Sequence, residues 1–123
     1  MLTLLIMVAC GDKDGDSALA PTHDADMQPI WNASCGVGCH LEGSDGGDVA
    51  LDEGYAALVG VESSVAGINL VEPGSLADSY LWRKLEGSHE DVGGEGSKMP
   101  LGNSLSDEEL ALISIWIEDG APQ

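Results

Sequence analysis

The sequence predicts an all-α domain with long loops, and three observations carry that expectation. In the clearest segment, Leu110, Ile113 and Ile117 recur at i, i+3 and i+7, with Leu112 and Trp116 beside them. No run of alternating apolar and polar residues offers a strand anywhere in the chain. Glycine and proline clusters separate short helical patterns by polar stretches that have no period of their own.

The elements follow in order. Residues 1–10, "MLTLLIMVAC", form an apolar run too short to span a bilayer and resemble the end of an export signal. "MVAC" is close to a bacterial lipobox, which makes Cys10 the expected lipidation site. No Lys or Arg precedes the run, so the true start codon is expected further upstream. Residues 11–23 are small, polar and acidic and read as a flexible tether, with His23 solvated at its end. Asp12, Asp14 and Asp16 alternate as in a calcium loop, but the downstream Glu of that loop is missing.

The folded domain is expected over 24–123. A first helix runs from about Asp24 to Ser34, with an acidic start, Pro29 in its first turn and Met27, Ile30 and Trp31 on its apolar face. "DEGYAALVG" reads as a short helix stopped by Gly60. After the Pro73–Gly74 turn, Ser75 with Asp78 is the expected cap of a helix reaching Gly87. "GSHEDVGGEGSKMPLGN" is a long loop, and in a small domain such a loop usually has a task. The last helix opens on a capping box, Ser106 with Glu109, and stops at Gly120 and Pro122.

Composition narrows the function. With 22 acidic residues against 4 basic ones, the formal charge is −18, which excludes nucleic acid and disfavours anionic lipid surfaces as partners. The 17 glycines and the absence of Phe leave few large side chains for a core, a deficit that a large apolar prosthetic group would fill.

The stretch "SCGVGCH", Ser34 to His40, is the motif that carries chemistry. Attachment of a c-type haem needs two thiols facing the vinyl groups and an imidazole directly after the second thiol. Cys39 and His40 stand in that register, but Gly36, Val37 and Gly38 place three residues between the cysteines where two are usual. The two glycines give the arc the backbone freedom to absorb the insertion. A sixth iron ligand is offered by Met99, stiffened by Pro100, and a thioether opposite a histidine is an electron-transfer pairing. His89 on the same loop is the alternative and would lower the potential; Lys98 could replace Met99 at high pH.

From about Asp24 onward the chain resembles the small monohaem class I cytochromes c, through "QPIWNASCGVGCH", "VEPGSLADSYLWRKLEG", "KMP" and "LSDEELALISIWIEDGAP" in that order. The resemblance implies a fold whose N- and C-terminal helices pack together, with Trp31 and Trp116 near their crossing and haem c held between loops. It implies Cys35 and Cys39 as thioether anchors, His40 as the proximal ligand and Met99 as the distal ligand. The longer spacer departs from the usual motif and leaves open whether both thioethers form.

The expected function is electron transfer outside the cytoplasm, by a lipid-anchored monomer on the periplasmic or cell-surface side. It is not expected to be an enzyme. Its redox partners are expected to carry basic docking patches. The alternative is a haem-free exported binding module held by a Cys35–Cys39 disulfide. Zinc at Cys35, Cys39 and His40 is the weaker third reading, because neighbouring residues fit one tetrahedral ion poorly.

Overall fold

A computed structural model describes residues 20–35, 49–64, 67–102 and 104–123. Three α-helices organise them: α1 (Gln28–Ser34), α2 (Tyr80–Glu86) and α3 (Asp107–Glu118). A π-helical turn, His23–Met27, leads into α1, and 3-10 turns occupy Tyr55–Ala57 and His89–Val92. No strand occurs among the described residues, only isolated bridges such as Val59 with Val71 and Glu62 with Asn69. The all-α expectation therefore holds. No helix among the described residues is long and apolar enough to cross a membrane.

α1 is short, and helices of its length are marginal on their own. Its stability comes from packing: Met27 and Trp31 are fully buried and Ile30 nearly so. Pro29 lies in the first turn, where its missing N–H costs nothing. α3 is the longest helix among the described residues and has the expected capping box, with Ser106 Oγ accepting from Glu109 N at 3.1 Å and Glu109 Oε2 accepting from Ser106 N at 2.9 Å. Its Ile113, Trp116 and Ile117 are fully buried, and the indoles of Trp31 and Trp116 meet edge to face at 6.4 Å, joining α1 to α3.

Pro21 and His23 are buried, so the reading of His23 as a solvated tether residue is corrected. Its backbone N–H donates to the carbonyl of Pro122 at 2.9 Å, and Trp116 Nε1 donates to the same oxygen at 2.9 Å. The His23 ring lies between Tyr55 and Trp116, with centroids at 5.6 and 5.8 Å. Its Nε2 is within 3.3 Å of Trp31 Nε1, which can only donate. Nε2 therefore accepts, and Nδ1 carries the proton it gives to Asp24 Oδ1 at 3.0 Å.

The segment before α2 also differs. Ser75 and Asp78 bond to each other, at 3.0 and 3.2 Å, closing a turn of their own instead of capping a helix. Ser79 Oγ is held by the backbone of Ser75, 2.6 Å, and Glu72, 2.9 Å, so the helix starts only at Tyr80. The opening N–H groups of α2 go instead to distant carbonyls: Tyr80 N to Asn69 O and Leu81 N to Leu70 O, both at 2.9 Å. α2 ends as expected at Gly87, in the left-handed region at φ 90°, with its N–H on Arg83 O at 2.8 Å. The expected helix before Gly60 shrinks to the Tyr55–Ala57 turn, because Gly60 N bonds to Val71 O at 2.9 Å and turns the chain into the Val59–Val71 bridge.

Candidate functional site

The long loop after α2 is tightly fastened. Lys84, on α2, donates through Nζ to the carbonyls of Glu95 at 2.7 Å and Ser97 at 2.9 Å. The carbonyl of Lys84 itself accepts from the N–H of Met99 at 2.9 Å. Burial lowers the pKa of the Lys84 ammonium below the usual lysine value.

Tyr80, one turn earlier on α2, is buried and hydrogen-bonds the Glu95 backbone. Burial raises the pKa of its phenol, the Glu95 backbone bond opposes that, and the Glu95 carboxylate adds to the rise. The Tyr80 ring lies so close to Gly94 that a Cβ there would stand 2.7 Å from its Cε2 and hydroxyl and 2.8 Å from His89 O. Only glycine fits at that position.

These fastenings present Met99. It is half-buried, packs against the main core and is followed by Pro100 through a cis peptide bond. Beside it lies a cleft of about 140 Å³ lined by Leu85, Lys98, Met99, Pro100, Leu105 and Leu110 among others. Leu85 and Leu105 are core residues, and Lys98 and Ser104 give the cleft polar walls as well. Leu101, just beyond Pro100, is 62 % exposed at this edge of the molecule.

Of the Cys35, Cys39 and His40 cluster, Cys35 is described. It ends α1, with its N–H on Trp31 O at 2.9 Å, and its half-buried side chain packs against the same core as Met99. Cys39, His40 and Cys10 lie outside the described residues. Cys35 and Met99 both pack against the core, and a thiol and a thioether are soft donors of the kind that hold a haem, so the donor types described here fit that group.

His89 lies on the same loop. It is 4 % exposed, and its Nε2 lies 2.8 Å from the carbonyl of Gly96, to which it donates. Its Nδ1 is buried and without a hydrogen-bond partner among the described residues. The geometry makes His89 an internal brace of the loop and does not bring it to the Met99 cleft. Lys98 does line that cleft, with its stem passing within 3.3 Å of a Cβ position at Gly87.

Tyr80, Lys84 and Gly94 are the site-building residues that motif reasoning missed. One signal was available: in a chain with 4 basic residues, a lysine just before a glycine-rich loop is a scarce multiple donor next to many carbonyls. No family model matches this sequence, and no curated protein and no solved structure gives a match to it.

Proposed function

We propose that the protein is an electron-transfer protein of the class I cytochrome c type, carrying one covalent haem c. The observation that carries the reading is the placement of Met99, fastened by α2 beside a small cleft and packed against the same core as Cys35. The Trp31–Trp116 contact between α1 and α3 supports the same fold.

In this reading Cys35 and Cys39 would hold the haem through thioethers, and His40 and Met99 would be its iron ligands. When bound, the haem supplies reversible one-electron chemistry between its ferric and ferrous forms. The chain sets the conditions. Leu85, Leu105 and Leu110 would pack beside the thioether, and the neutral sulfur of Met99 would favour the reduced form. The acidic surface selects partners with basic docking patches, and association slows as salt rises.

Cys10 carries a lipid in this reading and places the domain on the periplasmic or cell-surface side of a membrane. A Cys10→Ala variant then leaves the membrane fraction; its retention there would refute the anchor.

The deciding experiment is an absorption spectrum of the protein from cells with a c-type maturation system, followed by acid–acetone extraction. Haem that stays with the protein and shows reduced c-type bands supports the proposal, and the band position reports one thioether or two. A colourless protein with no free thiol at Cys35 and Cys39 refutes it in favour of the disulfide-held binding module.

A further inference from the structure

We propose that Lys84 is the positioning residue for the Met99 ligand, a role that rests on the haem reading above. One residue of α2 grips the approach to Met99 at alternate positions: its Nζ holds the carbonyls of Glu95 and Ser97, at 2.7 and 2.9 Å, and its own carbonyl holds the N–H of Met99 at 2.9 Å.

The chemistry suits lysine. An ammonium has three donors, no acceptor and a charge that strengthens each bond to a carbonyl. The segment it holds contains Gly96 and follows directly on Gly93 and Gly94, whose backbones are not confined by a side chain. Gly96 has its space limited by this grip, since a Cβ there would lie 3.3 Å from Nζ. In a chain with 22 carboxylates, Lys84 turns to backbone carbonyls, which is what a loop clamp requires and what a solvated surface lysine does not do.

The platform is itself rigid. The first N–H groups of α2 are held by Asn69 and Leu70, and Leu85, the next residue, is buried and lines the Met99 cleft. A thioether brings no charge to hold it on a metal, so its occupancy depends on how much of the loop's freedom is already removed. Lys84 removes that freedom at the three residues 95, 97 and 99.

The test uses the full-length haem-loaded protein with Lys84→Met, which keeps the stem without the donors, and Lys84→Arg, which restores donors. The readouts are the long-wavelength sulfur-to-iron absorption of the ferric protein, its reduction potential and its affinity for added imidazole. K84M is expected to lose most of that absorption, fall in potential and bind imidazole about tenfold more tightly, as a larger fraction of molecules has Met99 away. K84R is expected to recover the absorption with unchanged haem content.

Wild-type absorption and imidazole affinity in K84M would overturn the Lys84 role and leave the haem reading intact. Should K84M fail to accumulate, Lys84→Gln, whose amide reaches at most one of the two carbonyls, decides by the same comparison. Covalent haem in the wild type without the sulfur absorption removes Met99 as ligand and the proposal with it. Absence of covalent haem refutes the underlying reading itself.

Discussion

Trp31→Phe and Trp116→Phe delete the same group, an indole N–H with its ring edge, from two fully buried sites. Their costs should differ because of what each leaves behind. The lost packing is similar in both, about 1–2 kcal/mol. In W31F the acceptor is Nε2 of His23, in a residue 1 % exposed, and no water replaces the lost donor. An orphaned buried acceptor costs about 1–3 kcal/mol. In W116F the acceptor is the carbonyl of Pro122, which keeps the N–H of His23 at 2.9 Å. Only the net bond is lost there, about 0.5–1.5 kcal/mol.

W31F should therefore be the more destabilised variant by about 1 kcal/mol. Bond length alone argues the opposite, since the Trp31 contact is 3.3 Å and the Trp116 contact 2.9 Å. Urea unfolding followed by far-ultraviolet circular dichroism measures both, compared at equal m. If W116F proves equally or more destabilised, the orphaned-acceptor argument fails.

The other predictions concern the loop and the helix caps. Gly94→Ala drives a Cβ into the Tyr80 ring and a backbone carbonyl and should cost about 1–3 kcal/mol, with faster amide exchange over 89–96. Tyr80 binds its phenolic proton more tightly folded than unfolded, so its contribution is full below about pH 10 and lost as pH rises through the folded value. The stability gap between wild type and Tyr80→Phe should shrink in urea titrations taken from pH 8 to pH 11; a constant gap would contradict the assignment. Ser106→Ala removes the acceptor for Glu109 N and should cost about 1 kcal/mol, visible as a lower urea midpoint at unchanged m.

Legibility followed the range of the interactions. α3 was readable because its cap, its apolar stripe and its stop are all local, and each falls where the spacing put it. Met27 and Trp31 were readable as core for the same reason. The start of α2 was not, since its first N–H groups are satisfied by Asn69 and Leu70 across a bridge that no local pattern announces. Ser75 and Asp78 made the spacing of a cap but satisfied each other. His23 looked like the end of a tether because what buries it, Pro122 and Trp116, lies at the far end of the sequence.

At the candidate site, Met99 could be picked from chemistry alone. Lys84 could not be assigned its hold on the loop, because both of its Nζ bonds go to carbonyls, which every residue carries alike. His89 was legible as a loop histidine but not as a brace, for its acceptor is the carbonyl of a glycine.

The shared Pro122 carbonyl also sets a timetable. It joins positions about as far apart as the domain allows, and Asp24 with Gln123, the neighbouring pair, is separated by 99 positions. Contacts of that separation form late, because the intervening chain must be gathered first. α1, at seven residues, does not persist without them. In a chain made from its beginning, the segment ending in Cys35 thus stays pliable until residue 122 arrives, and its thiol stays open to chemistry for as long as the last residues are missing.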